Sequence, residues 1–348
     1  QLPQNEPRFA NQWHLRNTGQ SNGTPGADVD AFGAWAITTG AANVAIVVHD
    51  TGVDINHPDL SSNIRGGWDY DNNDNDASNN ADAHGTACAG VIAAAVNGQG
   101  VTGIAPNCRI VPLRAAGSHT WQTWADTFTW ASQQGRIISC SWSISVNNTL
   151  SNAIRDAVNR GVTIFCATGN GGTSAIEYPA SMAETIAVGA STNRDVRAGY
   201  SQFGAGLDVV APSSGGTLRI ETTDIRAADG YNRNNSPAGD YCNAGDATGF
   251  GGTSSATPLT AGVAGLMLSV NPLLTPAEIR TILRDTADKI DQANASYDTT
   301  GFSTQYGYGR VNAAAAVGRS RLTEAQGDTM HSGEVLRPGQ AIHSADGC

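Results

Sequence analysis

Three short segments of the sequence carry side chains that together could activate a nucleophile. Val47-Val48-His49-Asp50-Thr51-Gly52 puts a carboxylate at the end of an apolar, strand-like run and follows it with a tight turn. His84-Gly85-Thr86-Ala87-Cys88-Ala89-Gly90 opens a helix-like stretch with an imidazole among small residues, and Gly251-Gly252-Thr253-Ser254-Ser255-Ala256-Thr257-Pro258 opens another with a hydroxyl behind two glycines. A serine hydroxyl is a poor nucleophile until a base takes its proton. Neutral histidine can take it near pH 7, and a carboxylate holds the imidazole's tautomer and stabilises its charged form. A serine at a helix start also faces backbone N–H groups and the positive end of the helix dipole, which favour a developing oxyanion. The glycines before Ser254 let the chain and a substrate approach closely. Singly, each residue has an ordinary explanation: Asp50 as a turn residue, His84 as a polar helix start, Ser254 as an N-cap. Their joint placement, each at a strand-to-helix junction, is what singles them out.

Such side chains need rigid elements behind them, and the sequence supplies an alternating set. Val44–Val48, Ile110–Leu113, Ile137–Trp142, Val162–Ala167, Ile186–Val188 and Leu207–Val210 read as buried strands. Helices are predicted at about His84–Val96, Thr120–Gln134, Leu150–Arg160, Ser254–Val270 and Pro276–Asp288, the last opened by Thr275-Pro276-Ala277-Glu278 with Thr as N-cap and Glu at the third position. Strands apolar on both faces, separated by helices, indicate an α/β fold with a mostly parallel sheet covered on both sides. In such sheets sites gather at the carboxyl ends of strands. Residues 213–252, rich in Gly, Asn and Asp, read as a long surface insertion. Residues 319–348 read as a polar tail or linker after a domain spanning 1–318.

Composition narrows the chemistry. The 348 residues carry 20 Lys+Arg against 31 Asp+Glu, a formal charge of −11, which argues against nucleic acid as the main partner. Lys289 is the only lysine, leaving almost no candidate for amine or P-loop chemistry. No apolar run approaches the ~20 residues of a membrane span. Starting at Gln1 without an apolar leader, the sequence reads as a mature or trimmed form. Six cysteines allow up to three disulfides. Cys140 and Cys166 lie in strand-like runs and read as buried thiols, whereas Cys242 and Cys348 sit in polar surroundings and are the better bridge candidates. At least one disulfide is expected, which favours an exported protein. Cys88, one turn past His84, reads as a small buried hydrophobe.

Asp-Thr-Gly, His-Gly-Thr-x-Cys-Ala-Gly and Gly-Thr-Ser-x-Ala-x-Pro resemble the three signatures of the subtilisin-like serine proteases, the subtilases, within a likeness running from about Pro7 to Val317. The resemblance implies a three-layer α/β fold and a serine endopeptidase in which Asp50 orients, His84 is the base and Ser254 the nucleophile. Asn170, in Ala167-Thr168-Gly169-Asn170-Gly171, matches the family's oxyanion-hole asparagine. Phe9-Ala10-Asn11-Gln12-Trp13-His14-Leu15, Gly67-Trp68-Asp69-Tyr70-Asp71 and Ser139-Cys140-Ser141-Trp142 resemble the kexin/furin-like branch. Thr51 stands where that branch carries a second Asp, and Ser143-Ile144-Ser145-Val146 lacks its acids, so cleavage after paired basic residues is not expected.

By the same resemblance Ser141, Trp142, Ser143 and Gly171 contact substrate, and Glu177, just before Tyr178-Pro179, lies at the floor of the S1 pocket. A carboxylate there favours Arg or Lys at P1. If Glu177 turns aside, the pocket is broad and apolar. The run Asp69-Tyr70-Asp71-Asn72-Asn73-Asp74-Asn75-Asp76 is oxygen-rich without the full EF-hand pattern, and the resemblance makes Asp69, Asp74 and Asp76 ligands of a calcium loop. A second structural Ca²⁺ site would use Asp59, Asn97, main-chain oxygens of Ala95, Gln99 and Val101, and Glu6. The expected protein is therefore a secreted, monomeric, Ca²⁺-binding endopeptidase acting on proteins or peptides, with its own propeptide as inhibitor and chaperone. Two other readings compete: a peptide ligase or macrocyclase that resolves the acyl-enzyme with an amine, and a binding module without catalysis.

Overall fold

The computed structural model describes residues 2–79, 81–226 and 228–321. Seven strands form one parallel sheet: β1 (Ala45–Asp50), β2 (Trp68–Asp69), β3 (Arg109–Arg114), β4 (Ile137–Cys140), β5 (Thr163–Ala167), β6 (Ile186–Ser191) and β7 (Val209–Pro212), in the order β2-β3-β1-β4-β5-β6-β7. The sheet is an α/β fold of the expected kind. Its six longer strands match the six predicted, shifted by at most two or three residues at their ends. The short edge strand β2 has no apolar run to announce it.

Alternate side chains of β1 enter two separate cores. Ile46 and Val48 pack with α1 (Ala31–Trp35), α2 (His84–Ala93), α5 (Thr253–Val270), α6 (Pro276–Asp285) and α8 (Ala313–Ser320). Ala45 and Val47 pack with α3 (Trp121–Gln134) and α4 (Asn148–Asn159). Successive strand residues point to opposite faces, so an apolar run such as Val44–Val48 requires helices on both. A short α7 (Gln292–Ala295) lies near the end of the chain. Helix α5 is buried nearly throughout, which fits its unbroken apolar and small-residue sequence.

The connections leave β1 toward β3 on one side and β4 on the other. This reversal opens a crevice at the carboxyl ends of β1 and β4, where Asp50 and Ser141 stand.

Two segments differ from expectation. Within 213–252, β8 (Thr222–Thr223) pairs antiparallel with β9 (Tyr241–Cys242), and Ile220, Thr223, Tyr241, Cys242 and Phe250 are buried. The Thr222 and Thr223 hydroxyls donate to the Ala87 and Thr86 carbonyls of α2 at 3.1 and 2.7 Å, so the middle of this stretch is a support for α2. Its polar composition hid that, because the buried hydroxyls are satisfied by main chain. At the other boundary, α8 runs through Ser320, which is buried, and Arg319 pairs with Asp285 of α6. Residues 319 and 320 therefore belong to the helix, and the rest of the expected tail, 322–348, lies outside the described residues.

Candidate active site

Asp50 ends β1 and His84 begins α2. Their side chains meet with His84 Nδ1 2.6 Å from Asp50 Oδ1, which also accepts the Thr51 N–H at 2.8 Å. Helix α2 can lie this close to β1 because residue 85 is glycine: a Cβ there would stand 2.1 Å from the Gly52 carbonyl oxygen. Burial raises the Asp50 carboxyl, but the His84 charge and the hydrogen bonds from His84 and Thr51 outweigh it and hold the group below the usual carboxylate range. Burial lowers His84, and the Asp50 charge overcomes this, leaving the imidazole well above its ordinary value. One edge of the ring remains open to solvent, with a quarter of the side chain exposed.

Ser254 is the second residue of α5. Its N-cap, Gly252, adopts φ 74°, a left-handed conformation suited to glycine. Ser254 Oγ donates to the Ser141 carbonyl at 3.4 Å, and Ser141 Oγ donates to the Ser254 carbonyl at 2.9 Å, so the end of β4 and the start of α5 are tied to each other. The Cys88 sulfur, 4.0 Å from His84 Nδ1 and 3.6 Å from the Ser254 carbonyl, links the start of α5 to the ring. Burial pushes the Cys88 thiol up to about 11, so it stays protonated. Among the described residues Asp50, His84 and Cys88 form the one group of three potential metal-ligating side chains; the hydrogen-bonded Asp50–His84 pair and a neutral thiol fit a base and its support better than an ion.

Asn170 follows β5. Its Oδ1 accepts the Thr253 N–H at 2.9 Å and the Thr253 hydroxyl at 3.1 Å. The amide oxygen is thereby occupied, and the NH₂ end is left as a donor next to Ser254. Trp142 donates its indole N–H to the His49 carbonyl at 2.8 Å and packs against Trp124 and His49. With Ser143, Ile144, Trp124, Thr51, Asp82, His84 and Tyr231 it lines a cleft of about 490 Å³. Gly171 lies beside Gln202, a residue the sequence did not single out. Gln202 Nε2 donates to Glu177 Oε1 at 2.9 Å, while the Glu177 carboxylate packs over Gly169, next to Asn170. Among the described residues no arginine, lysine or histidine pairs with Glu177.

The two predicted metal regions differ. Asp59 is fully buried. Its Oδ2 accepts the Val101 N–H at 2.9 Å, its Oδ1 accepts Asn97 Nδ2 at 3.2 Å, and its carbonyl takes the Ala95 N–H. Glu6, also buried, accepts the Gly98 N–H, and Asn97 Oδ1 accepts that of Gln99. Burial raises Asp59 to about 6, and the Glu6 charge adds to the effect. Two buried carboxylates converging on one loop, with no ion pair to Asp59 among the described residues, suit a hard divalent cation.

The aspartate run does not form such a cluster. Asp69 spends Oδ1 on the Asp71 and Asn72 N–H groups and Oδ2 on Arg114 at 2.9 Å. Asp74 and Asp76 accept from the Asp76 and Ser78 N–H groups at the surface. Asp69 and Asp74 exchange main-chain hydrogen bonds at 2.8 and 3.1 Å, but their carboxylates and that of Asp76 turn to separate partners and form no cluster.

The disulfide expectation also changes. Cys88, Cys108, Cys140, Cys166 and Cys242 are all buried free thiols. Cys242, read as a bridge candidate in polar surroundings, sits on β9 with its thiol directed at the Thr223 carbonyl; Cys348 lies outside the described residues.

Residues 41–309 match the model of the subtilase family, Peptidase_S8. A calcium-dependent protease of Trichormus variabilis is 37% identical over 342 residues, covering 89% of this chain and 51% of that protein. Thermitase of Thermoactinomyces vulgaris is 37% identical, with 83% of this chain and 93% of thermitase covered. The chain thus spans about half the length of the calcium-dependent protease it matches. Among solved structures, a serine protease of Aeromonas sobria in complex with a chaperone has a TM-score of 0.81 at 24% identity, over 92% of this chain and 68% of that one. A protease of Pseudoalteromonas arctica has a TM-score of 0.74 at 29% identity, over 91% of this chain and 99% of that one.

Proposed function

The chain belongs to the subtilase family, and from that premise we propose that it is a serine endopeptidase working through an acyl-enzyme. The observation that carries the reading is the 2.6 Å Asp50–His84 contact beside a serine that opens a buried helix. Ser254 Oγ attacks the scissile carbonyl as His84 Nε2 takes its proton. Asp50, bonded to Nδ1, keeps the tautomer that leaves Nε2 free to accept and stabilises the imidazolium. The Asn170 NH₂ and the Ser254 N–H hold the oxyanion, His84 returns the proton to the leaving amine, and water then releases the acid. Ser254 Oγ rests on the Ser141 carbonyl at 3.4 Å, and apo geometry of this kind tightens on substrate binding.

Glu177 directs selection. Its carboxylate beside Gly169, held by Gln202 and by no cation among the described residues, suits a P1 Arg or Lys head group. A structural Ca²⁺ would be held by Asp59, Glu6 and the loop 95–101, where it neutralises buried charge and ties the N-terminal segment to the core. The relatives named calcium-dependent protease support this. Export to the cell exterior and a propeptide that chaperones and inhibits the enzyme complete the proposal; the chaperone bound to the Aeromonas sobria protease is a parallel for the latter. No helix among the described residues is long and apolar enough to cross a membrane.

The test is kcat/KM on matched peptides with Arg, Phe or Leu at P1, in excess Ca²⁺, for the native chain and Ser254→Ala. Hydrolysis is expected to vanish to background in Ser254→Ala, and turnover surviving that change overturns the mechanism. Preference for Arg is expected to collapse in Glu177→Gln. A native preference for Phe or Leu would overturn the basic-P1 reading and leave the serine mechanism standing.

A further inference from the structure

At the end of the sheet opposite Asp50 and Ser141, the amino ends of β3, β1, β4 and β5 lie side by side. The segments that meet there, 41–45, 61–67, 105–109, 132–136, 159–163 and 268–275, hold four arginines and no aspartate or glutamate. Arg109 begins β3 beside Ala45, and Arg136 stands on the other side of Ala45, just before β4. Arg160 follows the last turn of α4, ahead of β5, and the Arg65 N–H bonds to the Ile110 carbonyl of β3. The chain as a whole carries −11, so this pole is charged against the rest of the molecule.

The fold does not consume these charges. Arg65 and Arg160 are exposed, and among the described residues neither guanidinium forms an ion pair. Arg109 donates to the neutral Asn63 Oδ1. Arg136 is fixed by three carbonyls, those of Gly161, Pro272 and Leu274, at 2.9, 2.9 and 2.5 Å. The negative ends of α3, α4 and α5 point to the same pole, but at about half a charge each they leave the four guanidiniums in excess. Asp156, a turn up α4 from Arg160, forms no ion pair with it. A cleft of about 310 Å³ at this pole is lined by Arg65, Arg136, Asn43, Gln134, Leu268 and Pro272, so cationic donors and apolar carbon share one surface.

We propose that this pole binds a linear polysaccharide bearing carboxylates, which crosses the strand ends and meets Arg65, Arg109, Arg136 and Arg160 in turn. A guanidinium matches a carboxylate with two parallel N–H donors. The charges form a row rather than converging on one point. Neighbouring strands lie about 4.8 Å apart, so Arg109 and Arg136, with β1 between them, are set about 10 Å apart at the backbone. That spacing suits a polymer with one carboxylate per sugar or per disaccharide, and Leu268 and Pro272 offer apolar contact to a sugar face. Duplex DNA, at one charge per ~1.7 Å, is far denser, and the acidic remainder of the chain repels it. Asp50 and His84 stand at the opposite end of the same sheet, so a polymer held here leaves the proposed substrate cleft open. The binding does not depend on the chemistry proposed for Ser254.

The experiment titrates hyaluronan oligosaccharides, which carry one carboxylate per disaccharide, into the native chain and follows binding by calorimetry at low and high salt. Carboxyl-reduced hyaluronan is the neutral control, and a DNA duplex is the competing polyanion. Binding to hyaluronan is expected at low salt, weakening as salt rises, with none to the reduced polymer. In the double variant Arg65→Gln/Arg160→Gln the Kd is expected to rise by about 3- to 10-fold, the range of two exposed ion pairs. Arg194→Gln, which removes an exposed arginine beyond the carboxyl end of β6, should leave it unchanged. Equal affinity for hyaluronan and its reduced form, a Kd unaltered in the double variant, or an equal loss in Arg194→Gln overturns the proposal. Tighter binding of duplex DNA than of hyaluronan overturns it in favour of nucleic acid. Should the double variant fail to fold, the native chain still decides, through the comparison with the reduced polymer and through hydrolysis of a small peptide under saturating hyaluronan. That hydrolysis is expected to be unchanged, and competitive inhibition would place the polymer in the substrate cleft and refute the polar site. Absence of peptide hydrolysis with binding intact would refute the endopeptidase reading alone.

Discussion

Asn170 turns its amide oxygen onto the N–H of Thr253, at 2.9 Å, one residue before Ser254. The contact joins the loop after β5 to the start of α5 and decides which end of the amide faces a substrate oxygen. Replacing Asn170 by Ala removes the donor from a preorganised pair. The expected result is a fall in kcat of about 10²- to 10³-fold with KM little changed, because the hydrogen bond forms only as negative charge develops. Steady-state kinetics on a single good peptide checks this, and a change confined to KM would speak against an oxyanion role.

The raised His84 imidazole gives a pH dependence with a definite sign. The base must be neutral to accept the serine proton, and Asp50 holds its pKa well above the ordinary 6.5. Activity is therefore expected to rise with pH through a midpoint above about 6.5. In Asp50→Asn the charge that raises the imidazole is gone, so the midpoint falls, and kcat drops by about 10⁴-fold as the tautomer is lost. A pH profile of kcat/KM for both proteins would show the two effects separately.

Removing Ca²⁺ is expected to lower the melting temperature, because Asp59 and Glu6 bury charge near each other. At a thousandfold excess over Kd a bound ion contributes about 4 kcal/mol, or roughly 6 °C in a domain of this size. Asp59→Asn should abolish the response to chelator, whereas Asp74→Asn and Asp76→Asn should keep it, since those carboxylates cap surface turns. Calorimetry with and without chelator distinguishes the two loops.

Gly85→Ala tests how closely α2 must approach β1. The added methyl would meet the Gly52 carbonyl at 2.1 Å and the Asp50 Cβ at 3.2 Å, so the helix has to move. A loss of about 1–3 kcal/mol in denaturant unfolding is expected. A larger proportional loss in kcat should accompany it, since His84 is the first residue to be displaced.

Much of this architecture could be read from the chain, because it rests on local rules. Apolar runs of strand length such as Ile137–Trp142 required cover on both faces, and Thr275-Pro276-Ala277-Glu278 formed the capping box it promised. Asp50, His84 and Ser254 stood out because each sits where a strand gives way to a helix. The parts that were not legible are those where one side chain's role depends on a partner distant in sequence. Asp69 pairs with Arg114, 45 residues away along the chain, which its aspartate-rich neighbours do not announce. Cys242 was buried by the hairpin that Thr222 and Thr223 attach to α2, although its neighbours are polar. Tyr231 lines the cleft of His84 only because the segment between β8 and β9 returns to it in three dimensions. Hydrophobic period and turn chemistry act over a few residues and are written in the sequence. Whether a carboxylate meets a guanidinium, a peptide N–H or an open cleft is settled by tertiary packing, which alone brings residues 50, 84, 170 and 254 to one place.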